Sequence, residues 1–144
     1  MKKHVQLLCI MALIAIIGMT SCTKKPEDLI VGKWKITEYR EEGSYISKVE
    51  GDTWTFKDNG TFTGPLIAGE HDISCKYVCD DNELTLKGGG LDELYYQGYP
   101  AEITYKLDID DISKDILIVS GKARLYVSGY GENSWSISVE LKRK

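Results

Sequence analysis

Few side chains in this sequence are of the types that carry out catalysis. After residue 22 there is one histidine, His71, in a polar stretch before a predicted strand, where a surface role is far commoner than a catalytic one. A serine–histidine–acid triad is a spatial arrangement that one histidine can serve, but no spacing here points to it. No glycine-rich loop leads into a helix, so a phosphate-binding loop is not indicated. The sequence predicts a protein that is not an enzyme and needs no cofactor.

Cys75 and Cys79 match neither a complete zinc motif nor an easy disulfide. A structural zinc site needs four ligands, and only His71 is available beside these two thiols. In a strand, residues four apart lie about 13 Å apart, whereas bonded cysteines need Cα atoms within about 7 Å. Alternation puts both thiols on one face, so we interpret them as buried apolar groups. A disulfide across a bulge is the alternative.

Two acidic segments share only part of the pattern of a calcium-binding loop. Asp108 and Asp110 have the spacing with which an EF-hand loop begins, but Ile112 and Ser113 stand where such a loop has an oxygen ligand and a glycine. Residues 80–83 have the composition of a turn. We interpret both segments as solvated turns and predict no metal ligands.

In the segments that must position these side chains, apolar residues recur at every second position. Apolar and polar residues alternate over 33–37, 53–57, 83–87, 102–109 and 134–141. Such alternation predicts antiparallel strands that cover a single core with one face. No comparable segment has the apolar spacing of an amphipathic helix, so little helix is expected.

Turn-forming residues separate the predicted strands. Asp58 and Asn59 favour the start of a hairpin turn, and Gly60 favours its positive φ angle. The triple glycine at 88–90 begins a longer stretch to Pro100, which we interpret as a mobile loop. Further turns are predicted at 80–82, 110–114, 120–121 and 129–133. The chain should therefore form eight to ten short strands in a meander.

The alternation in the first strand does not decide whether two charged side chains face the core or the solvent. Glu38 and Arg40 continue the inward parity of Trp34 and Ile36, which would place charges near one end of the core. A twist or bulge would instead turn them to solvent, and the position of Tyr39 suggests such a break.

Composition and the need to cover the apolar face of the strands together limit the folds that the chain can adopt. The chain has 144 residues, 42% apolar and 28% charged, which fits one globular domain, and its net charge of −4 argues against a nucleic-acid partner. A meander hides its apolar face in a closed barrel or a two-sheet sandwich. In an up-and-down barrel the first and last strands are neighbours, which places Arg143 beside Trp34 in a cation–π contact. We predict an all-β, antiparallel up-and-down barrel of about eight strands over 29–144.

The first residues have the features of a signal peptide. Lys2 and Lys3 precede an uncharged, mostly apolar run at 7–19. A helix that crosses a bilayer needs about 20 such residues, so this run is short for a membrane span. Residues 1–21 are therefore predicted to be removed.

The end of this segment points to a lipid anchor. Thr20 and Ser21 are small residues that lead directly to Cys22, an arrangement that resembles the lipobox of bacterial lipoproteins. The resemblance implies acylation of Cys22, a lipidated tether over 22–28, and a place in the cell envelope. The residue after Cys22 is Thr23 and not aspartate. For a lipoprotein of a Gram-negative cell, this favours the outer membrane, facing the periplasm or the cell surface. An ordinary secretory signal is the alternative.

The start of the mature domain resembles a known family. Gly32-Lys33-Trp34 resembles the Gly-x-Trp signature of lipocalins, in which a basic residue from near the last strand covers the tryptophan. The hairpin at 54–62 is similar to the short lipocalin-like domains of Bacteroidetes lipoproteins. The resemblance implies structural roles for Gly32, Trp34 and Arg143 and a lipocalin-like barrel over most of the mature chain.

Two functions are compatible with such a barrel. The first is binding of a small apolar or amphipathic ligand inside it, with the 88–100 loop at its mouth. The residues predicted to face that ligand are Trp54, Phe56, Tyr77 and Tyr105. The alternative is a non-catalytic cell-envelope interaction module. It would bind a protein or a glycan through its outer face or through the tyrosine-rich segment 95–99, since tyrosines supply contact area at low entropic cost.

Overall fold

A computed structural model describes residues 24–66, 72–89 and 95–144 of the chain. The predicted signal peptide, Cys22 and His71 lie outside the described residues. Among the described residues, no helix has the length and apolar character needed to cross a bilayer. The elements are a helix α1 (Pro26–Ile30), a 3₁₀ turn (Ser47–Val49) and the strands β1 (Gly32–Glu41), β2 (Ser44–Tyr45), β3 (Thr53–Phe56), β4 (Thr61–Gly64), β5 (Ile73–Asp80), β6 (Glu83–Gly89), β7 (Tyr95–Tyr96), β8 (Tyr99–Ile112), β9 (Ile116–Val127) and β10 (Gly131–Arg143).

Eight of the described strands close into an antiparallel barrel. Their order is β1, β3, β4, β5, β6, β8, β9 and β10, and β10 pairs with β1 again. That last pairing runs from Trp34 opposite Arg143 to Glu41 opposite Ile137. The short β2 pairs with β1, and the short β7 pairs with β8. The predicted barrel is confirmed, and its first and last strands are neighbours as predicted.

The helix α1 lies at one end of this barrel, which we call the helix end. Its last residue, Ile30, is fully buried, and its backbone carbonyl accepts a hydrogen bond from Trp34 Nε1 at 2.7 Å. A five-residue helix is too short to give a helical pattern in the sequence. The helix begins at Pro26, so residues 26–28 of the predicted tether form its first turn. The opposite end, where β1, β4, β6 and β9 finish, is called the distal end below.

A bulge in β1 changes which side chains face the core. The pairing with β10 shifts register between Ile36 and Glu38. After the shift Tyr39 is buried, while Glu38 and Arg40 face outward and form an ion pair with an N–O distance of 2.5 Å. Because a bulge adds one residue to one strand, inward parity moves from even to odd positions. The alternative in which the two charges face solvent is the one that the structure adopts.

The predicted turn at 120–121 is wrong, because both residues lie inside the continuous strand β9. Gly121 faces Leu107 of β8 and Ile137 of β10. A Cβ atom at Gly121 would collide with the Lys106 carbonyl oxygen and lie 2.9 Å from Leu107 Cα. The glycine therefore permits a close approach of two barrel strands, which is a second reason for glycine in a strand pattern.

The predicted mobile loop over 88–100 is wrong where the chain is described. Strand β6 extends through Gly89, and residues 95–100 belong to the β7–β8 hairpin; residues 90–94 lie outside the described residues. A Cβ atom at Gly88 would lie 2.8 Å from Cys75 Cβ on the neighbouring strand. The missing side chain thus makes room for the thiol opposite.

The acidic pair Asp108 and Asp110 belongs to a strand instead of the predicted turn. Strand β8 continues to Ile112, with a register shift between Ile109 and Asp111. Both carboxylates are exposed on its outer face. The turn itself comes later, where Ser113 Oγ accepts hydrogen bonds from the backbone N–H groups of Asp115 and Ile116.

Candidate functional site

Three of the four residues predicted to face a ligand form one aromatic cluster between β3, β4 and β5. Trp54 and Phe56 are at most 1% exposed. Edge-to-face contacts join Phe62 to Trp54 and to Phe56, with ring centroids 5.4 and 5.2 Å apart. Tyr77 stands against Phe56 at 5.0 Å. Such pairs stabilise a core beyond the area they bury.

The polar atoms of this aromatic cluster are bonded to the backbone. Trp54 Nε1 donates to the Pro65 carbonyl at 2.9 Å, and the Tyr77 hydroxyl donates to the Lys57 carbonyl at 2.7 Å. A Cβ atom on Gly64 would lie 2.7 Å from Trp54 Cδ1, so the indole is packed directly against that backbone. We infer that Trp54, Phe56 and Tyr77 pack the core and do not offer donors to a ligand.

Tyr105, the fourth predicted residue, lies apart from the aromatic cluster on β8. Its side chain is fully buried, and its hydroxyl donates to the hydroxyl of the neighbouring Tyr39. The Tyr39 hydroxyl donates to the Leu66 carbonyl at 3.4 Å. Burial, followed by the negative charge of Glu41, raises the pKa of Tyr39. Burial, followed by the neighbouring Tyr39, raises the pKa of Tyr105, so both hydroxyls keep their protons.

Sequence reasoning missed three residues near Tyr105. Tyr39 and Glu41 share the inward face of β1 only because of the bulge, which alternation does not reveal. Trp135 is in step with Ile137 on β10, so its parity was a usable signal. Its indole is half-buried against the core, and its Nε1 atom is buried with no described hydrogen-bond partner.

Small residues line the barrel around Tyr105. Ala123 of β9 stands directly between Tyr105 of β8 and Trp135 of β10 in the paired strands. Cys75, Gly88 and Ala101 also face inward from the distal halves of their strands. The barrel therefore carries large rings on β3–β5 and short side chains on the distal half of β5–β9.

The two cysteines lie on the inner face of β5 as thiols. Cys75 is buried opposite Gly88, and Cys79 is half-buried nearer the helix end. Burial, together with the nearby Glu27 carboxylate, raises the pKa of the Cys79 thiol to about 11. A thiol with so high a pKa is a weak nucleophile at neutral pH, because the thiolate is the reactive form.

Arg143 closes the helix end over Trp34. Its Cζ atom lies 4.0 Å from the centre of the indole ring. The guanidinium donates to the carbonyls of Val31 at 2.9 Å, Lys114 at 2.6 Å and Leu29. Two of these acceptors stand at the C-terminus of α1, where carbonyls lack partners within the helix and cations are favoured.

Gly32 makes room for this arginine. Its φ angle is +139°, which other residues rarely adopt. A Cβ atom at this position would collide with Arg143 Nη1. Gly32, Trp34 and Arg143, the residues of the predicted signature, therefore meet at one point.

Three carboxylates approach each other at the helix end. One oxygen of each of Glu27, Asp80 and Asp81 lies within 4.8 Å of the others. Glu27 accepts a hydrogen bond from the Asp81 backbone at 3.2 Å, and backbone hydrogen bonds, its own first, lower the pKa of Glu27. This contact fastens α1 to the β5–β6 turn, which is a sufficient structural role for the acidic group.

Tyrosines surround a hollow outside the barrel at the distal end. The hollow has a volume of about 180 Å³ and is lined by Tyr96, Gln97, Tyr99, Val127 and Tyr130. The rings of Tyr99 and Tyr130 meet at 4.7 Å, and the side chain of Tyr130 is 71% exposed. We call these five residues the tyrosine surface.

The fold and its closure define a small antiparallel up-and-down barrel. The sequence model of the lipocalin-like domain matches residues 30–117, more than half of the chain. The protein belongs to the lipocalin-like domain family. Neither a curated protein nor a solved structure matches the chain.

Proposed function

We propose that this protein binds a small apolar or amphipathic molecule in the distal half of its barrel. The observation that carries the proposal is the uneven filling of the interior. Large rings occupy the β3–β5 side, whereas Gly88, Cys75, Ala101 and Ala123 project little into the distal half. Ligand pockets are mostly apolar with a few polar groups that orient the ligand, and Tyr39 and Tyr105 are such groups. The function is binding and not catalysis.

This proposal places the ligand away from most of the residues that the sequence favoured. Tyr105 remains a candidate, and Tyr39 and Trp135 join it. Trp54, Phe56 and Tyr77 support the site indirectly, because their aromatic cluster holds the β3–β5 wall.

Enlarging the small inward side chain of Ala123 is expected to weaken binding of Nile red, an uncharged apolar dye, at least 10-fold. Ala123→Leu adds three carbons on the inner face of β9, between Tyr105 and Trp135. The dye's fluorescence, titrated against folded protein, gives its dissociation constant. Lys122→Leu, which adds an apolar side chain on the outer face of the same strand, is the matched control and should leave binding unchanged.

The same titration separates the outcomes. Ala101→Leu repeats the test at a second inward position if Ala123→Leu fails to fold. Equal affinities for the inner and outer variants would place the dye outside the barrel and contradict the proposal. Native mass spectrometry of protein purified from its own host tests for the natural ligand. A bound ligand should appear as extra mass on the folded protein.

The second candidate function is recognition of an envelope protein or a glycan by the tyrosine surface. Its exposed rings and the uncharged hollow of about 180 Å³ favour it. Tyr99→Ala and Tyr130→Ala would then abolish binding of the partner. Tyr45→Ala, which changes an exposed tyrosine elsewhere on the surface, would leave that binding unchanged. If these changes also abolish Nile red binding and Ala123→Leu does not, the second function replaces the first.

We further propose that the protein is a lipoprotein of the outer membrane, held by acyl chains on Cys22. The lysines at its start, the short apolar run and the small residues before Cys22 support this. Two or more acyl chains suffice for stable anchoring, since each buried CH₂ contributes about 0.8 kcal/mol.

Cys22→Ser is expected to abolish incorporation of labelled palmitate and to release the protein from the membrane fraction. Cys75→Ser, a buried thiol of the barrel, is the control and should remain labelled. Labelled Cys22→Ser protein would show that the anchor lies elsewhere.

A further inference from the structure

Three cationic side chains stand together on the outer face of β8 and β9, in a chain whose net charge is −4. Lys106 of β8 lies directly opposite Lys122 of β9 in the strand pairing, and Arg124 is the next outward residue of β9. All three are exposed. Like charges directly opposite each other destabilise a sheet, so the stability of the barrel does not account for this arrangement. We call these three residues the basic patch.

The charges of the basic patch are largely uncompensated by the protein itself. Neither lysine forms an ion pair with a carboxylate of the described residues. Arg124 pairs with Glu132 at 3.3 Å through Nη1 alone. A guanidinium has five N–H donors, so most of those of Arg124 remain available to an anion.

A hollow with a volume of about 310 Å³ lies over the basic patch. Its walls also include Thr104, Glu132 and Ser134. In the paired strands Thr104 and Ser134 stand on either side of Arg124. The three cations and the one carboxylate leave a local charge of about +2, and a phosphate monoester carries about −1.5 to −2 near pH 7.

The surroundings place an anion in this hollow and not in the one beside it. The adjoining hollow also borders both lysines, but Glu83 and Asp108 line it as well, and their carboxylates repel an anion. Its serine, Ser136, already donates to a Glu42 carboxylate oxygen at 3.1 Å.

We propose that the basic patch binds the phosphate group of a sugar phosphate on the outer face of the barrel. The two lysines and Arg124 contact the phosphate, while Thr104 and Ser134 hydrogen-bond to hydroxyls of the sugar. A side-chain hydroxyl both donates and accepts, which suits a sugar hydroxyl, and the hollow is larger than a phosphate group needs. The site lies outside the barrel and is independent of the apolar ligand proposed for the interior.

The test compares glucose 6-phosphate with glucose and with inorganic phosphate by isothermal titration calorimetry on the folded protein. Glucose 6-phosphate should bind about 10-fold tighter than either, because only it engages both the cations and the hydroxyls. Its binding should be lost in about 1 M sodium chloride, where the screening length falls to about 3 Å.

Variants of the charged residues locate the site. Lys106→Gln and Lys122→Gln should each weaken glucose 6-phosphate about fivefold, the effect of one exposed charge contact. Glu132→Gln should strengthen it, because it removes a like charge and frees Arg124. Lys142→Gln is the matched control: Lys142 is exposed, also stands opposite a lysine, and lies six residues beyond Ser136 along β10, about 20 Å away.

The two hydroxyl residues test the sugar part of the ligand. Thr104→Val and Ser134→Ala should each weaken glucose 6-phosphate about threefold and leave inorganic phosphate unchanged. If inorganic phosphate binds the unaltered protein as tightly as glucose 6-phosphate, the sugar is not recognised and the proposed ligand class is wrong.

Thermal unfolding of the ligand-free protein separates binding from stability. Lys106→Gln and Lys142→Gln should each raise the Tm by about 2 °C, because each relieves a repulsion between paired lysines. Only Lys106→Gln should also lose affinity. A lowered Tm for Lys106→Gln would give the lysine a structural role and overturn the proposal.

The remaining outcomes are equally decisive. Equal weakening by Lys106→Gln and Lys142→Gln would mean nonspecific attraction by surface charge, and no binding of glucose 6-phosphate at millimolar concentration would mean that the site does not exist. Either result overturns the proposal and leaves the interior site untouched. Lys122→Leu, the outer-face control for the dye, should lose glucose 6-phosphate and retain Nile red, which shows that the two sites are separate.

Discussion

Gly121→Ala is expected to lower the free energy of unfolding by about 3 kcal/mol, the upper end of the usual cost of adding atoms to a packed core. The new Cβ atom would meet the Lys106 carbonyl oxygen and Leu107 Cα, which are backbone atoms of the neighbouring strand and cannot rotate away. The strands β8 and β9 would have to separate in the middle of their ladder. Urea unfolding followed by tryptophan fluorescence measures the loss.

Gly129→Ala is the matched control for this change. Gly129 also has a positive φ angle, +85°, but a Cβ atom there has no atom within 4 Å. Its cost is the backbone strain alone, about 1 kcal/mol. Equal losses for the two variants would show that conformational strain, and not the close approach of β8 and β9, makes Gly121 necessary.

Arg143→Met should lower the free energy of unfolding by about 2–3 kcal/mol. The substitution keeps the length of the side chain and removes its charge, so Trp34 loses a cation–π contact worth about 0.5–2 kcal/mol. Three backbone carbonyls also lose a charged donor, among them two at the C-terminus of α1. Arg143→Lys should recover less than half of the loss, because an ammonium does not provide the planar array of donors.

The comparison for this prediction is Arg124→Met. Arg124 forms an ion pair with Glu132 at 3.3 Å, and both side chains are about half exposed. Exposed pairs contribute only about 0.2–1 kcal/mol. If Arg143→Met costs no more than Arg124→Met, the contact over Trp34 is not what holds the helix end together.

The barrel was predictable because its strands obey one simple rule. Inward residues alternate with outward ones along β3, β6, β8 and β10, and that pattern alone indicates strands with one buried face. Closure followed from the need to cover that face, and the pairing of Trp34 with Arg143 bears it out. The short α1 escaped prediction because one helical turn shows no period.

The candidate site was less predictable, for reasons that belong to particular residues. One added residue in β1 turns Tyr39 and Glu41 inward, and no local feature except the position of Tyr39 signals the change. Gly121 resembles a turn glycine in the sequence, although its role depends on an atom of Lys106 that is 15 residues away in the chain. Whether a buried hydroxyl has a partner is likewise a property of neighbours from other strands.

If Cys22 carries the proposed acyl chains, the position of α1 would give the barrel a direction with respect to the bilayer. The chain enters the barrel at the helix end, so acyl chains on Cys22 would draw that end toward the lipid. The tyrosine surface and the wall of Tyr105 and Trp135 would then face away from the membrane, at a height of about 30 Å for tilted strands of this length. Under the proposed anchoring, a molecule bound there would exchange with the aqueous phase or with a docked partner, and would not enter sideways from the leaflet.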